Sequence, residues 1–178
     1  MKKSITSLLL FIITMTVAAQ TPDYSGECKK QMSMLRSFTG KWKGEAVAIR
    51  QGGVKVTILQ QETIEFRLDS LIIQMEGIGS RKDEPGKIHF HALGLLTYDP
   101  FKKTYGMKSY VKEGLQIDAF FRVIEKNKYE WGFDTNGGKI LYTITIDPTE
   151  TKWNEKGSFS PDGKAWSPFF EMNLDKVK

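Results

Sequence analysis

The sequence predicts an all-β protein: a single antiparallel up-and-down β-barrel of about ten strands, preceded by one short helix. Two observations favour this fold class. Apolar residues recur with a period of two along most of the chain, as in strands with one buried face. The connectors are short and rich in Gly, Pro, Asn and Asp, which leaves no room for the crossover helices of a parallel sheet. Closing so many strands into a barrel removes the exposed edges.

Residues 1–19 have the features of a secretory signal peptide. Two lysines precede an apolar run over residues 5–18, and small residues lead to a cleavage site after Ala19. A helix of this run would be about 21 Å long, shorter than the roughly 30 Å of a bilayer core, so an uncleaved signal anchor is the less favoured alternative. We therefore expect an exported protein, periplasmic or extracellular, with one domain over residues 20–178 and no membrane span.

The charge pattern argues against one class of partner. Removing the two leader lysines lowers the formal net charge from +5 to +3, and the remaining basic residues are dispersed among acidic ones. Nucleic-acid-binding domains concentrate their basic residues on a recognisable module, so we expect no nucleic-acid partner. Cys28 is the only cysteine, so the chain cannot form an internal disulfide.

One helix is predicted before the sheet, over residues 27–38. Met32, Leu35 and Phe38 recur three residues apart and therefore lie on one stripe of such a helix. We expect the helix to close one end of the barrel. A lid that controls access to an interior cavity is the functional alternative.

Ten strands are predicted after this helix. The alternation of apolar and polar residues is clearest in the sixth, seventh and eighth of them, and turns rich in Gly, Asn, Asp and Pro separate the strands. The predicted strands cover residues 42–51, 54–68, 71–79, 87–98, 104–112, 115–123, 128–134, 139–147, 151–159 and 166–176.

The Gly-x-Trp-x-Gly-Glu-Ala segment of residues 40–46 resembles the start of the calycin superfamily of lipocalins, fatty-acid-binding proteins and nitrobindin-like barrels. As in those proteins, it follows a short helix and precedes a long meander. Residues 93–105, 159–166 and 170–172 resemble an uncharacterised family of secreted bacterial lipocalin-like domains. The resemblance covers most of residues 35–178 and implies a calycin-like barrel.

Gly40, Trp42 and Gly44 are predicted to close the base of this barrel. Trp42 enters the first strand on the inward register and can plug the narrow end, where a large ring buries about 150–250 Å². Gly40 and Gly44 allow neighbouring backbone to approach the ring closely. A direct contact between Trp42 and a ligand is the alternative.

No motif of a known catalytic class is present, and we predict a protein that is not an enzyme. The chain lacks a nucleophile elbow, a phosphate-binding Gly-rich loop and a Gly-x-Gly-x-x-Gly segment. Glu62 and Glu65 alternate to opposite faces of one strand, and we interpret both as solvated charges.

His89 and His91, the only histidines, share one face of a strand. The outer face is the favoured placement, with Ile88, Phe90 and Ala92 inward, although the register leaves burial of either face open. They are weak metal candidates because no third ligand is identifiable. Nitrobindin-like proteins bind haem through a histidine late in the barrel, whereas residues 120–178 contain none. Haem binding therefore ranks third among the functions, and no cofactor is predicted.

A ten-stranded barrel is wide enough to hold an interior cavity, so we expect it to bind a small hydrophobic or amphipathic molecule. The residues predicted to line the cavity are Tyr105, Met107, Phe121, Tyr129, Trp131, Phe133 and Tyr142. The alternative is a filled interior in a periplasmic or surface protein-interaction module. Its candidate contact residues are Phe101, Phe120 and Trp166.

Overall fold

A computed structural model describes residues 22–178, so the predicted signal peptide lies outside the described residues. Helix α1 (Ser25–Ser33) is followed by a 3₁₀ turn, Arg36–Phe38. Ten strands follow: β1 Gly40–Ile49, β2 Lys55–Arg67, β3 Ile72–Arg81, β4 Ile88–Asp99, β5 Thr104–Val111, β6 Gln116–Glu125, β7 Lys128–Thr135, β8 Gly138–Ile146, β9 Lys152–Ser160 and β10 Ser167–Lys176. Within residues 22–178 no helix is long and apolar enough to cross a bilayer.

The ten strands form one closed antiparallel barrel in which each strand pairs with its neighbours in sequence. β1 pairs with both β2 and β10, and the second ladder runs from Trp42↔Lys176 to Ala48↔Phe170. This ladder closes the sheet, so no strand edge is left unpaired. The predicted fold class is confirmed, and the predicted strand limits agree with the observed ones to within two residues.

Strand direction alternates, which sorts the turns into two groups. The turns after β2, β4, β6 and β8 lie at one end, which we call the helix end, and the turns after the odd-numbered strands lie at the far end. Helix α1 is held at the helix end by ion pairs of Lys29 with Asp69 and of Glu27 with Lys103. These contacts fix the helix to the β2–β3 and β4–β5 turns.

The helix predicted over residues 27–38 is observed as two pieces. The backbone N–H groups of Met34 and Leu35 bond three residues back, which tightens the chain after Ser33. Met32, Leu35 and Phe38 are nevertheless all buried. Their spacing of three residues also suits the three-residue turn of a 3₁₀ helix. The spacing therefore predicts that the three side chains share one buried face, but it does not predict that the helix ends at Ser33.

Aromatic side chains fill the barrel at the helix end. The Trp153 ring lies 4.7 Å from Phe38 and 5.7 Å from Trp42, measured between centroids, in edge-on contacts. The indole N–H of Trp42 donates to the Phe38 carbonyl at 3.1 Å. The Tyr129 hydroxyl lies 2.8 Å from that of Ser37. These bonds anchor the segment before β1 to the barrel wall.

The glycines of β1 lie where backbone comes close. A Cβ atom at Gly44 would be 2.1 Å from the carbonyl oxygen of Asn173, so only glycine fits this point of the closing ladder. At Gly40, where φ is +132°, a Cβ would lie 2.7 Å from Cε of Lys176. The ammonium of Lys176 lies 4.9 Å from the Trp42 ring centroid.

Candidate ligand cavity

The barrel interior contains a cavity of about 260 Å³, partly open to solvent, beyond the aromatic cluster of the helix end. Phe38 and Trp153 line it at the helix end, and Phe90, Val111 and Phe133 line it toward the far end. Alternate side chains of all ten strands point into the barrel. Most of the side chains that line the cavity are apolar. The inward side chains therefore leave a hollow interior.

The structure divides the predicted lining residues into two groups. Met107, Phe121, Trp131, Phe133 and Tyr142 line the cavity. In this group the Trp131 and Tyr142 rings stack, with centroids 4.1 Å apart and planes within 9°. They form one flat aromatic surface on the wall.

Tyr105 and Tyr129 also face inward but lie at the helix end, outside the cavity lining. The Tyr105 hydroxyl donates to the carbonyl of Gln31 at 2.9 Å, and burial raises its pKa to about 12. The hydroxyl of Tyr129 forms a hydrogen bond with the hydroxyl of Ser37. Both hydroxyls thus hold the segment that contains α1 and the 3₁₀ turn.

Two glycines make room for large side chains on the cavity wall. A Cβ atom at Gly77 would lie 2.6 Å from a carboxyl oxygen of Glu62, its register partner. A Cβ at Gly157 would lie 2.6 Å from the ring of Tyr142. Glycine at these positions lets the carboxyl and the ring lie flat against neighbouring strands.

Four polar side chains interrupt the apolar wall: Gln60, Glu62, Ser109 and Glu155. The amide nitrogen of Gln60 donates to Glu62 at 2.7 Å. The indole N–H of Trp131 donates to Glu155 at 2.9 Å. Gln60 and Glu155 are each 5% exposed, and Glu62, which also lines the cavity, is partly buried.

Burial changes the protonation of both carboxyls. It raises the pKa of Glu62 to about 8. The hydrogen bond from Gln60 lowers this pKa, and the nearby charge of Glu155 raises it further. Burial raises the pKa of Glu155 to about 7, although the indole groups of Trp131 and Trp153 oppose this. Desolvation also raises the pKa of the Tyr142 phenol. At pH 7 the Glu62 carboxyl is therefore mostly protonated and the Glu155 carboxyl about half protonated.

The interpretation of Glu62 as a solvated charge is wrong. Glu62 and Glu65 do lie on opposite faces of β2, but Glu62 faces the cavity. Ile58, Ile64 and Phe66 share its face, and this run of apolar residues at even positions was the available signal. Glu155 carried no comparable signal, because its approach to Glu62 depends on closure of the barrel between β1 and β10.

The two histidines lie on the outer face of β4, while Phe90 and Ala92 line the cavity. Ile88, expected to face inward with them, is 50% exposed, because it is the first residue of the strand at the far end. His91 Nε2 lies 2.9 Å from Glu76. His89 Nε2 lies 2.7 Å from Glu84, although the two groups are not aligned as a hydrogen bond. Within the described part of the chain no three His, Cys, Asp or Glu side chains are grouped to hold a metal ion.

The three candidate contact residues for a protein partner do not share one patch. Phe101 is at the helix end, Trp166 is at the far end, and Phe120 lies on the outer wall under the guanidinium of Arg122. All three are exposed, Phe101 most strongly at 75%. Isolated exposed apolar side chains of this kind are common on protein surfaces.

Two solved structures are similar to this chain over most of its length. The S-type phycobiliprotein lyase CPES from Guillardia theta is 9% identical, with a TM-score of 0.59, and the match covers 88% of this chain and 99% of the lyase. Rv2717c from M. tuberculosis is 10% identical, with a TM-score of 0.61, and the match covers 83% of this chain and 97% of Rv2717c. The chain has a calycin-like, lipocalin-type fold. No protein-family model matches it, and no curated protein matches it in sequence.

Proposed function

We propose that this protein is an exported lipocalin-like carrier that holds one small hydrophobic or amphipathic molecule inside its barrel and does not transform it. The export rests on the predicted signal peptide of residues 1–19. The binding role rests on the cavity, since a large apolar pocket with a few convergent polar groups is the usual form of a small-molecule site.

The cavity volume is the observation that carries the proposal. At about 260 Å³ the cavity exceeds the roughly 150 Å³ apolar cavity that accepts benzene, so it has room for one ring with a short side chain. A filled interior would instead favour a protein-interaction module. The exposed aromatic residues support that alternative less well, because they are scattered over both ends and the outer wall.

Access from the far end suits an apolar molecule. Exposed apolar side chains occur in or beside four of the five turns there: Val54, Ile88, Leu115 and Trp166. At the opposite end α1 and the aromatic cluster cover the barrel. The ligand would therefore enter between the far-end turns and meet the polar side chains inside.

Catalysis is the second candidate, and two observations favour it. Carboxyls that protonate near neutral pH are suited to general acid–base chemistry, and one structural neighbour is named a lyase. A carrier returns its molecule unchanged after long incubation. Chemical change of a bound molecule that both Glu62→Gln and Glu155→Gln abolish would favour catalysis instead.

The binding proposal can be tested by filling the cavity. Calorimetric titration with 2-phenylethanol, a small neutral probe, should show one site in the wild-type protein. Ala92→Phe places a ring in the cavity and should weaken binding by roughly tenfold or more. Thr97→Phe adds the same ring to the outer face of β4 and should leave affinity within about twofold. Equal affinities of the two folded variants would contradict an interior site.

A further inference from the structure

We propose that the ligand of this cavity carries a basic amine, whose ammonium group is held by Glu62, Glu155 and Gln60. This inference rests on the proposed function, since it specifies the chemistry of the same site. The ligand class is a small primary amine with an apolar, preferably aromatic, body.

The first argument is an excess of hydrogen-bond acceptors on the wall. Among residues 22–178, one oxygen of Glu155 accepts from Trp131 and one oxygen of Glu62 accepts from Gln60. No group in that range donates in hydrogen-bond geometry to the second oxygen of either carboxyl, or to the Gln60 carbonyl oxygen beside Gly79. The indole N–H of Trp153 lies near Glu155 and lowers its pKa, but it is not aligned as a hydrogen bond. Once the carboxyls are ionised, their free oxygens and the Gln60 carbonyl oxygen are acceptors suited to an ammonium group, which has N–H donors and no acceptor.

The second argument is charge. The cavity lining contains no Lys, Arg or His, and its titratable groups are Glu62, Glu155 and the Tyr142 phenol. The residues that face the two carboxyls from neighbouring strands are uncharged: Trp42, Gly77, Ile144 and Met172. Lys176 lies over Trp42 and does not line the cavity. An anionic ligand would therefore be buried without an opposite charge, whereas an ammonium could pair with an ionised carboxyl.

The third argument is the aromatic surface beside the carboxyls. Trp131 both donates to Glu155 and stacks on Tyr142, so one residue links the polar group to a flat π-surface. The faces of Trp and Tyr rings attract cations and also accommodate an aromatic ring. A ligand with a ring and an amine a few bonds apart can use both features at once.

Binding of an ammonium must release a proton wherever the carboxyl that receives it is protonated. The ammonium R–NH₃⁺ meets the protonated carboxyl Glu–COOH, the carboxyl gives up its H⁺ to solvent, and the ion pair of R–NH₃⁺ with Glu–COO⁻ remains. Affinity for an amine should therefore increase as the pH rises toward the raised pKa values of the carboxyls. A neutral probe binds without this release.

The experiment compares three probes with one phenyl body by calorimetric titration: 2-phenylethylamine, 2-phenylethanol and 3-phenylpropionate. At pH 8 the amine should bind about tenfold or more tightly than the other two. At pH 6.5, buffers of different ionisation enthalpy should report release of about one proton per amine and about none per alcohol. Glu62→Gln and Glu155→Gln should each weaken amine binding roughly tenfold, and Glu65→Gln on the outer face of β2 should not change it.

The outcomes separate the two proposals. Equal or tighter binding of 3-phenylpropionate, or amine binding without proton release in the wild-type protein, would overturn the amine assignment and leave the carrier function standing. The second measurement needs no variant, so a substitution that fails to fold does not remove the test. Absence of binding for all three probes would overturn the carrier function, and the amine assignment with it.

Discussion

Replacing Glu62 with Gln is expected to stabilise the ligand-free barrel at neutral pH. The pKa of Glu62 is about 8 in the folded protein and 4.5 for an ordinary glutamate, because the folded state buries the carboxyl. The folded state thus binds the proton more tightly than the unfolded state. The resulting stabilisation is fully present below pH 4.5 and is lost as the pH rises from there to about 8.

The magnitude follows from linkage. One pKa unit corresponds to about 1.4 kcal/mol, so between pH 5 and pH 7 this single carboxyl lowers the free energy of unfolding by roughly 2–3 kcal/mol. Glutamine has nearly the same shape, cannot ionise and can still accept from Gln60. The variant avoids this loss, which is large beside a typical total stability of about 5–15 kcal/mol.

Urea denaturation followed by tryptophan fluorescence at pH 5, 6, 7 and 8 measures the effect. The difference in unfolding free energy between the Glu62→Gln variant and the wild-type protein should grow with pH in favour of the variant. Glu65→Gln changes a half-exposed carboxyl of the same strand that is paired with Arg67, and should show no such trend. Parallel pH profiles for the wild-type protein and Glu62→Gln would refute a buried, protonated Glu62.

Three further predictions concern the scaffold. Trp42→Ala should lower the free energy of unfolding by about 3–5 kcal/mol, whereas Trp166→Ala at the exposed far end should change it by less than about 0.5 kcal/mol, both measured by denaturant unfolding. Gly44→Ala should prevent closure of the β1–β10 ladder and abolish the monomeric folded species on size exclusion, whereas Gly106→Ala, where a Cβ meets no atom within 4 Å, should not. Asp147 accepts from the hydroxyl of Thr149 and from backbone N–H groups of Thr151 and Lys152, which lowers its pKa to about 2. Asp147→Asn should therefore reduce the thermal midpoint at pH 7, with a difference that shrinks as the pH falls from 3.8 toward 2, and a constant difference would contradict this.

The strand pattern could be predicted because a half-buried strand imposes its period of two on local sequence. This period predicts that Met107, Phe121 and Trp131 point inward, and they line the cavity. The same local pattern could not tell Tyr105, which binds the helix segment, from Tyr142, which lines the cavity. The position of a side chain along the barrel axis depends on how the strands are staggered and on where α1 lies, and the sequence of a single strand encodes neither.

The polar part of the site could not be predicted for a different reason. Gln and Glu side chains usually face solvent. Residue type therefore predicts that Gln60 and Glu62 point outward, whereas both point into the barrel. Glu155 lies more than ninety residues further along the chain and approaches them only through the β1–β10 ladder. Such a pairing is a property of the closed barrel rather than of any segment.

A crystal structure of the protein soaked with 2-phenylethylamine at pH 8 tests the cavity account most directly. We predict electron density for one molecule inside the barrel, with its ring beside Trp131 and Tyr142 and its nitrogen between Glu62 and Glu155. An interior filled by side chains, or probe density confined to the outer surface, would contradict the account.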